Sequence, residues 1–416
     1  MTRSLSRRAW IKAAGSLPLA GAALSRGLSA LPATLAPPAR LPDKQSFPFA
    51  GVYLNAAYTH PMGVPAVAAG RAHLASRMHD ATRAWPGDNP RNAAVAAFAQ
   101  LIHADPGEVA VVPSTMEGEN LVGQALGLGP GAGVLTDAFH YDASLAMYGE
   151  LRQLRQVPVA VVAPRGNRIE LEDVAAQLTP ATRLIAVSQV ASMAGFEHDL
   201  RALCQLAHAR GVLVYADIVQ AVGALPIDVK ASGVDFCCCG TYKWLMGDFG
   251  TAFLYVRADR LAQLRRVQFG WRQFSGEHQH VYPFDPPGPA IGDWRLGNNT
   301  ASHFEVSTPD WAALAVAIAS IGYIQALGVD AIQRHRQPLL DALQRELPKR
   351  GFLPLTPQPS RGPIVAFAYR DAAKELTPRL RQAGVQITVR EHMIRVSPSV
   401  YNDHDDIERL LRALPA

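Results

Sequence analysis

Short apolar runs alternate with helix-like stretches along most of this chain. Runs at 109–112, 134–137, 157–163, 183–190, 213–217, 235–240 and 251–256 have the length of buried strands. Before and between them, 70–79, 93–102, 169–178 and 200–210 have helical composition or periodicity. Alternation of this kind predicts an α/β fold built on a mostly parallel sheet. A long apolar helix at 311–327 and an amphipathic one at 330–347 then lead into a smaller C-terminal lobe. Its predicted strands are 364–369, 385–390 and 393–396, and its closing helix is 403–414. The proline-rich stretch 37–49 reads as a linker or arm, and 265–289 as the least regular part, a loop.

Composition narrows the class. The chain has 416 residues, 49% hydrophobic and 18% charged, enough for a large core and two lobes around one site. The formal charge of +5 is partly concentrated in the first residues, and no basic stripe or stacking motif points to nucleic acid. Ser6-Arg7-Arg8-Ala9-Trp10-Ile11-Lys12 resembles a bacterial twin-arginine export signal, followed by a weakly apolar stretch at 13–31 that Arg26 interrupts. A permanent membrane anchor is a poor fit to that stretch. The expectation is export in folded form by the twin-arginine machinery, to a periplasmic or secreted location. Four cysteines make no disulfide framework. Cys237, Cys238 and Cys239 would point to alternate faces of a strand, so they cannot converge on one metal ion. His278 and His280 lack a third ligand.

The candidate chemistry lies between residues 213 and 256. Asp217 ends one apolar run, and Lys243 follows the glycine turn that closes the run 235–240. A carboxylate and a lysine thus stand just past the ends of neighbouring strands, at the edge where open α/β sheets hold ligands. Pyridoxal 5'-phosphate needs this pair. A lysine amine forms the Schiff base with its aldehyde, and an aspartate keeps the pyridine nitrogen protonated.

With the glycines and aromatics around Lys243, this arrangement resembles the class V aminotransferase-fold enzymes. That group includes cysteine desulfurases, selenocysteine lyase, isopenicillin N epimerase and kynureninase. The resemblance runs from Val52 to the C-terminus. It implies the type I pyridoxal-phosphate transferase fold, with a seven-stranded, mostly parallel sheet in a large domain (71–312). A signal and linker (1–36) and an arm (37–70) precede that domain, and a small α+β domain (313–416) follows it.

The resemblance also assigns residues. Pro113-Ser114-Thr115-Met116-Glu117-Gly118-Glu119-Asn120 opens a helix after a strand, and Thr115 and Met116 would offer backbone contacts to the phosphate. His140 would stack on the cofactor ring, with Phe139 and Tyr141 as rivals. Ser192 stands where many members have an asparagine for the phenolic oxygen, and Gln220 would reach the same atom. Tyr242, and more weakly Thr241, would serve the phosphate. Thr308, with Ser307, would serve the site of the second subunit in a homodimer. Arg395, in Met393-Ile394-Arg395-Val396-Ser397-Pro398, would hold a substrate carboxylate, and Asn55 would lie near the substrate. Reprotonation, elimination or hydrolysis after proton loss would make the enzyme an epimerase, a lyase or an aminotransferase. All four cysteines precede Lys243, which disfavours a persulfide route and favours an isopenicillin N epimerase-like label. The alternatives are a C–S or C–Se lyase without a persulfide cysteine, and a binding protein of the same fold that has lost its chemistry.

Overall fold

A computed structural model describes residues 40–79, 90–288 and 291–416. The twin-arginine signal lies outside the described residues, as do most of the loop 85–90 and the predicted linker before residue 40.

The apolar runs form one seven-stranded sheet. Its strands are β1 (Val109–Val112), β2 (Gly133–Asp137), β3 (Val159–Val162), β4 (Thr182–Ser188), β5 (Leu213–Asp217), β6 (Phe236–Gly240) and β7 (Ala252–Val256). The order across the sheet is β3-β2-β4-β5-β6-β7-β1, parallel except for β7, which runs antiparallel to both neighbours. Chain order reverses direction around β2, with β3 on one side and β4 on the other. Open α/β sheets leave a crevice at such a point, outside the carboxyl ends of the strands. His140, Ser188, Asp217 and Lys243 all lie at or just past those ends.

Both faces of the sheet are covered. Cys237 and Cys239 are buried in one core with the helix Trp311–Leu327, whereas Cys238 belongs to the core under the helix Thr115–Ala125. The alternation expected of an extended run is therefore observed, and all four cysteines are free and buried. Helix Thr115–Ala125 lies so close to β6 that a Cβ on Gly118 would come within 2.6 Å of Cys238 Sγ.

A third core holds the small lobe together. It joins Val52 and Leu54 to the helices Val329–Glu346, Ala372–Ala383 and His404–Ala413 and to the strands Val365–Ala368 and Met393–Val396. Helix Trp311–Leu327 belongs elsewhere: Leu314, Ala317, Ile321 and Ile324 pack into the large-lobe core. The chain then bends by 75° before the next helix. Gly328 stands at that bend, and its φ of +79° suits glycine.

Three further features differ from the sequence reading. The stretch expected to be a loop, 265–289, supplies the first strand of an antiparallel hairpin, Phe274–Gln279 with Gly292–Leu296. Its residues are mostly exposed on both faces, so no period-2 pattern marked it. Helix Ala372–Ala383 was not anticipated, because Pro378 interrupts its pattern. The strand expected at 385–390 is two pieces. Val385–Gln386 pairs in parallel with Val52–Tyr53, while Thr388–Arg390 pairs with Met393–Val396.

Candidate active site

Lys243 sits in a clamped turn. Thr241 N–H donates to the Thr251 carbonyl, Gly247 N–H donates to the Thr241 carbonyl, and Met246 N–H donates to that of Lys243. Thr241 spends its hydroxyl on the carbonyls of Asp248 and Thr251, inside the turn. Met246 has φ +58°, a left-handed conformation that is uncommon for a side chain of its size. Gly223 passes beneath, also left-handed, where a Cβ would come within 2.3 Å of the Trp244 carbonyl oxygen. Trp244 is in turn fixed from two sides. Its indole N–H donates to Gln220 Oε1 at 2.8 Å, and the Arg336 guanidinium lies 5.5 Å from its ring centroid.

The Lys243 amine itself makes no hydrogen bond or ion pair among the described residues. It faces the rings of Tyr242 and Tyr141, with centroids 5.6 and 6.0 Å away. Burial pushes its pKa down to about 8; Asp217 opposes that shift, and Arg395 adds to it. Asp217 is buried, and burial raises its pKa. Its Oδ1 accepts the Val219 N–H at 2.9 Å, and its Oδ2 has no partner among the described residues.

The start of helix Thr115–Ala125 is joined to the same turn. Thr115 Oγ1 accepts from Gly240 N–H at 3.0 Å, and Ser114 caps the helix by accepting from Glu117 N–H at 3.1 Å. The N–H groups of Thr115 and Met116 make no hydrogen bond among the described residues, so they are available to an anion. Tyr242 stacks on the exposed Phe249, with centroids 4.7 Å apart.

His140 is buried, with Ser188 Oγ 2.9 Å from Nδ1 and Glu119 Oε1 2.9 Å from Nε2. Its rivals are placed differently: Phe139 leans on Phe196, and Tyr141 is exposed. A cavity of about 190 Å³ opens beside His140, bounded also by Phe139, Asn167, Ser192, Met193 and Met393. Ser192 offers its carbonyl, not its hydroxyl, to Arg395 Nη1 at 2.6 Å. Gln220 is committed at both ends, to Trp244 and to the Ala57 carbonyl at 2.9 Å. Any contact it makes to a bound group is additional to those two.

Arg395 closes the site from the small lobe. It is buried and has no carboxylate partner among the described residues. Its Nη2 donates to Thr388 Oγ1 at 2.9 Å and to Asn55 Oδ1 at 3.5 Å, and its Nε has no partner. Burial lowers its pKa to about 10, which leaves it charged at neutral pH. Ser307 and Thr308 are exposed. Among the described residues no cluster of three or more His, Cys, Asp or Glu side chains placed to hold a metal ion occurs.

These groups fit pyridoxal phosphate: a partnerless amine of lowered pKa, a buried carboxylate with one free oxygen, and two free N–H groups at a helix start. The profile described as Aminotransferase class-V matches residues 89–410. The chain belongs to that family. An uncharacterized aminotransferase of Bacillus subtilis (strain 168), YcbU, is 27% identical over 77% of this chain and 81% of its own length. A cysteine desulfurase of Dickeya dadantii is 29% identical over 77% and 79%. Among solved structures, the Escherichia coli cysteine desulfurase CsdA has a TM-score of 0.76 at 21% identity, covering 89% of this chain and 97% of that one. A lysine variant of C-DES with glycine covalently linked to its pyridoxal-phosphate cofactor has a TM-score of 0.76 at 19% identity, covering 89% and 98%. This class-V aminotransferase-family protein is a pyridoxal-phosphate-dependent enzyme.

Several residues of this class-V site escaped the sequence reading. Glu119 holds His140, Trp244 holds the turn of Lys243, and Thr388 holds Arg395. Only Glu119 left a signal, as a carboxylate at a buried position of a helix, between Gly118 and Leu121.

Proposed function

We propose that this enzyme acts on an α-amino acid, taking and returning a proton at the substrate Cα. The observation that carries the reading is Arg395, a buried guanidinium with no carboxylate partner among the described residues, close enough to depress the Lys243 amine. A buried, unpaired cation is costly unless an anion arrives, and a carboxylate is its natural bidentate partner. When bound, pyridoxal phosphate supplies an electron-accepting ring that stabilises negative charge at a substrate carbon. Asp217 would keep the ring nitrogen protonated, Thr115 and Met116 would bind the phosphate, and His140 would cover one ring face. Lys243 Nζ, free of partners, would move the proton. A screen of amino acids and their decarboxylated amines, read by cofactor absorbance, tests this. Equal response to both members of each pair would refute the role of Arg395. No response to any compound would favour a binding protein that has lost its chemistry.

The cysteines support the choice of reaction. All four are buried, and burial pushes the thiols of Cys237, Cys238 and Cys239 well up, so none is a mobile nucleophile. This disfavours a protein persulfide and favours isopenicillin N epimerase-like chemistry. Sulfide or selenide released from cystine or selenocysteine in the same screen would point instead to a lyase that needs no such cysteine.

We also propose a homodimer. The hairpin and its flanks expose Phe269, Trp271, Tyr282, Phe284, Ile291 and Trp294, a concentration of large apolar side chains of the kind that covers an interface. A monomer in sedimentation equilibrium would refute this. Export is proposed from Arg7 and Arg8: replacing both by lysine should strand the protein in the cytoplasm, and undiminished periplasmic protein would refute it.

A further inference from the structure

We propose that Glu119 locks His140 as a fixed imidazolium against the cofactor, so that His140 serves as an electrostatic plate rather than a proton shuttle. The inference rests on the pyridoxal-phosphate reading above, and Glu119 is its positioning residue. Glu119 is 2% exposed and lies inside the sheet–helix core. A carboxylate buried so deeply needs donors and a countercharge. The donors are three. Tyr148 OH and His140 Nε2 lie 2.7 and 2.9 Å from Oε1, and Ser144 Oγ lies 2.7 Å from Oε2. The countercharge can only be His140, because no lysine or arginine pairs with Glu119 among the described residues.

The rest of the surroundings favour the same state. From β2, Asp137 acts on His140, and from β5 so does Asp217; Ser188 of β4 meets the other ring nitrogen at 2.9 Å. Tyr148 stacks alongside, with centroids 6.4 Å apart. Burial alone would discharge the imidazole, but the charge and hydrogen bond of Glu119 raise its pKa overall. Burial would likewise neutralise Glu119, and His140 holds its pKa down. Both ring nitrogens are engaged, so the ring has no free position from which to exchange protons with a substrate. A fixed positive charge there stabilises electron density on the ring and leaves proton transfer to Lys243.

Holoenzyme labelled with 15N-histidine, its His140 signals assigned by their loss in His140→Gln, tests this directly. Wild-type His140 should remain doubly protonated where an ordinary histidine has already become neutral. In the near-isosteric Glu119→Gln, His140 should become neutral. The pH at which the cofactor band titrates should then move upward, since of the two charges lost the positive one on His140 is the nearer to the cofactor ring. In that variant kcat should fall about 10- to 100-fold with KM nearly unchanged, the range seen when the second partner of a metal-bound imidazole is removed. Glu119→Asp should restore part of both. A neutral His140 in the wild type overturns the proposal, as does an imidazolium that survives Glu119→Gln. The spectrum of the wild type decides even if the variant folds poorly. Failure of the underlying reading would look different: the borohydride-trapped covalent label would persist in Lys243→Ala whatever the charge of His140.

Discussion

Lys243 and Arg395 are both buried cations without a carboxylate partner among the described residues, one on each lobe, and they meet that cost in opposite ways. Lysine can shed its proton. Burial brings its pKa to about 8, so a free amine is within reach near neutral pH. Arginine cannot. At about 10 it stays charged, and three neutral oxygens, of Ser192, Thr388 and Asn55, surround it instead. The same burial therefore leaves an amine that can lose its proton on the large lobe and a fixed positive charge on the small one. Side-chain chemistry, not depth, decides between the two.

The largest expected effect breaks the lysine half. Lys243→Ala should abolish the covalent, borohydride-trapped label and lower turnover on the order of 10⁴-fold or more. Noncovalent cofactor should remain, held by Thr115, Met116 and Asp217. A trapped label on another lysine would show that the partnerless amine is not the nucleophile.

Breaking the arginine half should leave cofactor loading intact. Arg395→Ala should weaken amino-acid binding by about 2–4 kcal/mol, the range for losing a buried charged pair. Amines lacking the carboxylate should bind the variant no worse than the wild type. If cofactor loading falls with substrate binding, the two cations are one structural unit and the division between lobes is wrong.

The third effect is a pH dependence. The folded value near 8 lies below the lysine reference of 10.5, so the charged amine penalises the apo fold at and below pH 8. That penalty is relieved as pH rises from about 8 to 10.5. The free-amine fraction climbs from about 3% at pH 6.5 to about three-quarters at pH 8.5, so the rate of cofactor capture by apoenzyme should rise about 25-fold and then level off. A rate that keeps rising tenfold per unit through pH 9.5 would mean an unshifted lysine.

Much of this site was legible because it lies at strand ends. Asp217 closes β5 and Lys243 follows β6, and a strand end announces itself by where an apolar run stops. Thr115 was legible for the same reason, as a hydroxyl just after β1. What stayed hidden depends on contacts between distant segments. Thr388 reaches Asn55 across 333 residues, and Trp244 reaches Arg336 from another lobe. The exposed hairpin at 274–296 was hidden differently: neither of its faces is covered within one chain, so hydrophobic patterning had no periodic signal to leave.

The smallest effect sharpens the arginine half. Thr388 Oγ1 lies 2.7 Å from Asn55 Oδ1, to which it donates, and 2.9 Å from Arg395 Nη2, from which it accepts. One hydroxyl thus sets where the guanidinium stands without touching the cofactor side. Thr388→Val keeps the shape of the strand and removes only that link, leaving Arg395 Nη2 with Asn55 at 3.5 Å. A hydrogen bond to a charged group contributes about 1.5 kcal/mol at the low end, so KM for an amino acid should rise about tenfold. Both kcat and cofactor capture should hold, because the Lys243 turn is built from Thr241, Gly223 and Trp244 and borrows nothing from Thr388. The KM of the decarboxylated amine should not move, since it has no anion for Arg395 to hold. Equal loss for acid and amine would mean that Thr388 supports its pairing with Met393–Val396 generally, and Arg395 would then be a structural arginine that happens to be buried.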